Sequence, residues 1–134
     1  MIEPRIEIGI DALDPVVLAT FWSNALGYSI GDLDGAGVYL DLVPPEPRLP
    51  IVYLQQVSAQ KQAKNRIHLD LYVEDPESTI ASLVEIGARV ISPARSGSEG
   101  GWWRVLADPE GNEFCVCRSG ERVAPTSWAV GPVV

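Results

Sequence analysis

The chain has 134 residues, 46% of them apolar and 21% charged, and a net charge of −8 at pH 7. These values describe one soluble globular domain with enough chain to bury a core. The acidic balance and scattered basic residues argue against nucleic acid or an anionic membrane as a partner, and no leader or membrane-spanning apolar run is visible, so a cytoplasmic protein is expected.

Residues 5–12 alternate, with Ile6, Ile8 and Ile10 on one face and Glu7, Gly9 and Asp11 on the other, which predicts a half-buried strand. Asp14 then suits an N-cap and Pro15 the first helical position. Leu18, Phe21, Trp22, Ala25 and Leu26 follow at the spacing of one buried helical stripe, and Gly27 ends it. A short strand is expected near 28–31. Two more are expected at 37–43 and 50–57, separated by a proline-rich turn.

The polar stretch 58–65 reads as a connector. After it comes a strand over 66–73, a cap at Asp75-Pro76, and a helix carrying Ile80, Leu83, Val84 and Ile86 before Gly87. Residues 89–92 predict a short strand. The Gly/Ser stretch within 93–101 reads equally well as a flap or a plain connection. Strands at 102–107 and 112–118 are joined by the tight turn Asp108-Pro109-Glu110-Gly111. The tail from Ser119 has no clear period, and Trp128 is the residue expected to dock it.

The second half repeats the first. Arg5-Ile6-Glu7-Ile8 through Asp14-Pro15 returns as Arg66-Ile67-His68-Leu69 through Asp75-Pro76. A duplicated module follows: a single domain over 1–134, built of modules about 5–57 and 66–118 with a tail at 119–134. Each module is β-α-β-β-β, its helix covering one face of a four-stranded antiparallel sheet and the other face left for a ligand. Duplicated half-sheets that meet face to face leave a cleft. Alternation puts Glu7, Gly9 and Asp11, then His68, Asp70 and Tyr72, and then Glu113, Cys115 and Cys117 on the faces away from the helices. Such a surface suits a small molecule.

Each candidate also has a plain alternative. His68 and Glu7 are candidates for proton transfer or ligand contact, or are solvated polar residues. Glu113 is a candidate general base or a structural acceptor beside the turn. Asp70 is placed next along that face, to orient His68 or to pair with an arginine. Cys115 and Cys117, at i and i+2, suit neither a structural disulfide nor a zinc knuckle; they read as small buried hydrophobes in a reduced compartment, or as nucleophiles if a nearby His68 depresses a thiol pKa. Trp102 and Trp103 must face opposite ways, one under the helix and one walling the pocket. Tyr39, Tyr53 and Tyr72 are lining residues, and Trp22 belongs to the core.

Asp14-Pro15 through Phe21-Trp22, Asn65-Arg66-Ile67-His68-Leu69-Asp70-Leu71 and Asp108-Pro109-Glu110-Gly111-Asn112 together resemble the vicinal-oxygen-chelate superfamily. This superfamily includes glyoxalase I, extradiol dioxygenases and bleomycin-resistance proteins. The resemblance implies an α+β fold of two βαβββ modules forming a half-open antiparallel barrel, and a homodimer. It also implies a metal-ligand set at Glu7, His68, Cys115 and Gln55, or Tyr53 in place of Gln55. Relatives supply His and Glu there. His68 is the sole histidine, so the two-histidine triad of extradiol iron chemistry cannot form within one chain. The expectation is no cofactor, with Glu7 and His68 marking where a divalent metal would sit. Two functions follow: lyase or isomerase chemistry next to a carbonyl, or non-catalytic binding of a small apolar or aromatic molecule in the manner of resistance proteins. Gln55, Tyr53, Asp70, Tyr72, Trp102, Trp103 and Cys115 are the expected ligand contacts, and His68, Glu7 and Glu113 the expected catalytic groups.

Overall fold

A computed structural model describes residues 6–97 and 100–118. Arg5, residues 98–99 of the Gly/Ser stretch and the C-terminal residues with Trp128 lie outside them. The chain divides into two compact units, Met1–Gln62 and Ala63–Val134, parted inside the polar connector.

The first unit runs β1 (Glu7–Ala12), α1 (Pro15–Leu26), β2 (Ser29–Leu33), β3 (Tyr39–Val43) and β4 (Ile51–Gln56). Asp14 caps α1 by accepting from the Val17 amide at 3.2 Å, and Pro15 opens the helix without wasting a donor. Gly27 closes it in the left-handed conformation at φ 71°, its N–H donating to the Ser23 carbonyl. Leu18, Ala19, Phe21 and Trp22 are buried against the sheet. Phe21 and Trp22 meet edge to face, with centroids 5.2 Å apart. Under them lie Leu40, Leu42, Val52 and Leu54.

The sheet order is β1-β4-β3-β2. The all-antiparallel expectation needs correcting, because β1 pairs parallel with β4 while β2–β3 and β3–β4 are antiparallel. The helical crossover returns the chain so that β2 runs in the sense of β1, and two further reversals bring β4 back to that sense. Ile6 also departs from expectation, lying ahead of β1 and 62% exposed.

The second unit holds β5 (Asp70–Tyr72), α2 (Pro76–Glu85), β6 (Arg89–Val90), β7 (Arg95–Ser96), β8 (Trp102–Ala107) and β9 (Glu113–Arg118). Asp75 caps α2 through the Ser78 amide at 3.1 Å, as Asp14 does for α1. The order is β5-β9-β8-β6, with β7 also on β8, and β5 is parallel to β9 for the same topological reason. Three corrections belong here. The expected strand over 66–73 shrinks to three residues, and the Gly/Ser stretch carries a paired strand, β7. Val84 and Ile86, assigned to the stripe, are exposed; Ile80, Leu83 and Pro76 carry the burial.

The turn between β8 and β9 is held by Asp108, which is 2% exposed. Its carboxylate accepts from the Glu110 amide, the Asn112 amide and Asn112 Nδ2, each at 2.9 Å. Asp108→Ala strands two backbone donors and should cost about 2–4 kcal/mol. A chemical-denaturation midpoint within error of wild type would refute this role for the carboxylate.

Candidate functional site

In the first unit the register sets the residues of the face away from α1. Gly9 lies beside Tyr53, and Asp11 beside Gln55, across β1 and β4. Tyr39 lies opposite Gln55, and Asp41 opposite Tyr53, across β3 and β4. Glu7, Asp11 and Asp41 are exposed, while Gln55 and Tyr53 are half-buried. The rings of Tyr39 and Tyr53 meet edge to face, 6.0 Å between centroids. The Tyr53 ring crosses β1 at Gly9, where a Cβ would stand 2.5 Å from both Cζ and Oη. Only glycine admits that ring. A glycine in mid-strand signals such a close approach, and sequence reading listed Gly9 without drawing that consequence.

In the second unit Asp70 pairs with Cys115 and Tyr72 with Cys117 across β5 and β9. Trp103 lies opposite Cys117, and Val105 opposite Cys115, across β8 and β9. Trp103 therefore shares the face of Asp70, Tyr72 and the thiols, and its ring reaches Gly97, 3.7 Å from where a Cβ would sit. Trp102 has the opposite parity, the one of the buried Leu106, Phe114 and Val116. Both tryptophans are half-buried. His68 stands two residues ahead of β5, exposed and outside the strand. Glu113 is engaged: its Oε2 accepts from the Asn65 amide at 2.9 Å, and its carbonyl accepts from Asn65 Nδ2 at 3.2 Å. Asn65 is the residue that sequence reasoning missed, because a contact between connector and last strand leaves no periodic signal.

Both cysteines are free and buried. Burial, followed by the nearby Asp70 carboxylate and a hydrogen bond to it, pushes the Cys115 thiol up to about 11. Burial, Asp70 and Cys115 push Cys117 up to about 12. Burial also raises the Tyr72 hydroxyl, with Cys117 and Asp70 adding to it. At neutral pH these are thiols, so neither is an activated nucleophile. A folded-state pKa above the unfolded one means the folded state holds the proton longer. The thiols therefore contribute stability below about pH 9 that is lost as pH rises toward 11 and 12. The urea midpoint should fall across that range in the wild type, and fall less in a Cys115→Ala/Cys117→Ala double variant. Equal slopes would refute the assignment.

A divalent ion of the kind used in this superfamily would draw on Glu7, Gln55, His68 and Cys115. The donors present do not fit it. Cys115 offers a soft, buried sulfur and Gln55 a neutral amide, where a hard divalent ion takes carboxylate and imidazole. Among the described residues no group of three or more His, Cys, Asp or Glu is arranged to hold a metal ion.

Two strand–helix–strand units, the second carrying the extra short strand β7, with helix-covered sheets and polar-aromatic opposite faces, define an α+β protein of the glyoxalase/bleomycin resistance/dioxygenase fold. Residues 7–117 match the glyoxalase-like domain family, and the chain belongs to that family, within the vicinal-oxygen-chelate superfamily. Solved structures agree on the fold. A glyoxalase/bleomycin resistance protein/dioxygenase from Nocardioides aligns at TM-score 0.70 and 13% identity, over 100% of this chain and 91% of that one. A family enzyme from Burkholderia phytofirmans PsJN aligns at 0.65 and 16%, over 84% and 95%. TioX from Micromonospora sp. ML1 aligns at 0.60 and 15%, over 87% and 98%. No curated protein matches the sequence. No helix among the described residues is long and apolar enough to cross a membrane.

Proposed function

We propose that this chain binds a mostly apolar, ring-containing small molecule without the help of a metal ion. The observation that carries the reading is the second unit's face away from its helix, where Trp103 and Tyr72 stand with Asp70 beside them. The tryptophan supplies a flat apolar wall and the tyrosine a hydroxyl handle. Each well-placed ring contributes about 1–3 kcal/mol. His68, two residues before Asp70 and outside the strand, offers an exposed imidazole. On the first unit Tyr39, Tyr53, Gln55 and Glu7 make a face of the same character. A net charge of −8 disfavours strongly anionic ligands such as glutathione conjugates.

Tryptophan-fluorescence and thermal-shift screening of neutral and cationic aromatic compounds tests the reading. A hit should weaken by about tenfold in His68→Ala, the loss of one hydrogen bond to a polar ligand group. A hit indifferent to His68 places the site elsewhere, and turnover of the methylglyoxal–glutathione adduct overturns the reading. Elemental analysis of protein purified without added metal should find less than one nickel, zinc, iron or manganese per chain. One tightly held ion, lost in His68→Ala, would restore a metalloenzyme.

The accessibility of Glu7 and His68 favours a second reading, lyase or isomerase chemistry next to a carbonyl with one of them moving the proton. Deuterium exchange at carbon acids of bound ligands in D2O, present in the wild type and absent in His68→Ala, would select it.

A further inference from the structure

The two copies of the repeated strand are not built alike at their candidate residue. Glu7 is the first residue of β1 and pairs with Ile51 on β4. Its repeat partner His68 is outside β5, and the exposed run Arg66-Ile67-His68 precedes the strand, with Ile67 85% exposed. Continuing the β5–β9 register backward from Asp70 and Cys115 would set His68 opposite Glu113. The chain instead ties down both ends of the run. The Leu69 carbonyl accepts from the Cys115 amide at 2.9 Å. Asn65 is joined to Glu113 twice, its amide to Oε2 at 2.9 Å and its Nδ2 to the Glu113 carbonyl at 3.2 Å.

We propose that Glu113 is a positioning residue which, through Asn65, fixes the exposed Arg66–His68 segment on β9 and so holds His68 where a ligand meets it; the ligand clause rests on the function proposed above. Three exposed residues that lack ladder bonds keep conformational freedom unless their ends are pinned. Here both pins are on one strand, two residues apart, and β9 is a central strand whose residues 114–117 are buried. A carboxylate oxygen accepting a backbone N–H serves as a structural acceptor, and in this proposal Glu113 positions His68 rather than moving a proton. Glutamine has an oxygen at the same place and should serve as well, whereas alanine should not.

His68 is the only histidine, so its imidazole gives isolated signals in long-range 1H–15N spectra. In the free full-length protein, Glu113→Ala should move or broaden those signals and speed exchange of the Asn65 amide at least tenfold. It should also weaken a ring compound found in the fluorescence screen by about fivefold, the loss of one net hydrogen bond. Glu113→Gln should restore all three. Asn65→Ala removes only the Nδ2 bond and should shift the His68 signals in the same direction, which keeps the test open should Glu113→Ala fail to fold. Unchanged His68 signals in both alanine variants overturn the proposal. So does a glutamine variant as defective in binding or turnover as the alanine one, since that marks a proton-transfer role. If the wild type binds no ring compound, the binding function fails, while the spectra of the free protein still decide whether Glu113 positions His68.

Discussion

Trp22→Ala is expected to lower the unfolding free energy by about 3–5 kcal/mol, a large share of the 5–15 kcal/mol that holds a domain of this size. Trp22 is 1% exposed and packs edge to face on Phe21. It lies on α1, which packs on β3 and β4, where Leu40, Leu42, Val52 and Leu54 are all but fully buried. Truncation leaves a cavity that rigid strand residues cannot collapse to fill. Urea denaturation by circular dichroism measures the loss. The half-buried Trp103 should cost much less when changed to alanine. A loss under about 1 kcal/mol at Trp22 would mean that α1 is not anchored there.

Gly9→Val is expected to separate stability from ligand binding. Valine favours a strand, and position 9 is exposed, so propensity alone would leave the sheet intact or strengthen it. The Cβ, however, would stand 2.5 Å from Tyr53 Cζ and Oη. The ring is the free end of a side chain and can swing out, so overpacking should cost about 1–3 kcal/mol rather than prevent folding. Once displaced, Tyr53 loses its edge contact with Tyr39. Compounds seated on that face should then bind at least tenfold more weakly, and aromatic near-ultraviolet circular dichroism should change. If the signal and the affinity both stay as in the wild type, Tyr53 is no part of the binding surface.

The helices were legible in the residues because their signals are local. Asp-Pro at each start, Gly27 at the first end and the 3.6-residue stripe of Leu18, Phe21 and Trp22 act through neighbours within one or two turns. Strand faces were equally legible, since alternation assigns every residue a side once one is known to be buried. The stripe over α2 was read too long. Val84 and Ile86 continue the apolar count, but Val84 is exposed while its neighbour Leu83 is buried, and Ile86 lies past the end of α2 as its cap.

What the amino-acid sequence determined by itself was the duplication, the βαβββ plan and the resemblance to the vicinal-oxygen-chelate superfamily, all of which rest on periodicity and on motifs contiguous in the chain. It also put Trp102 and Trp103 on opposite faces without saying which was which. Tertiary structure decided that choice, because pairing with Cys117 puts Trp103 on the face of Asp70 and Tyr72, one strand beyond β9. Pairing between distant strands likewise made β1 and β5 parallel to β4 and β9, turned Gly9 into the seat of the Tyr53 ring and bound Glu113 to Asn65. Each of these depends on registers and contacts between segments some 40 or more residues apart, or on the side to which a large ring falls. Neither is encoded in the spacing of neighbouring residues; both follow from how the sheet closes its hydrogen bonds and fills its surface.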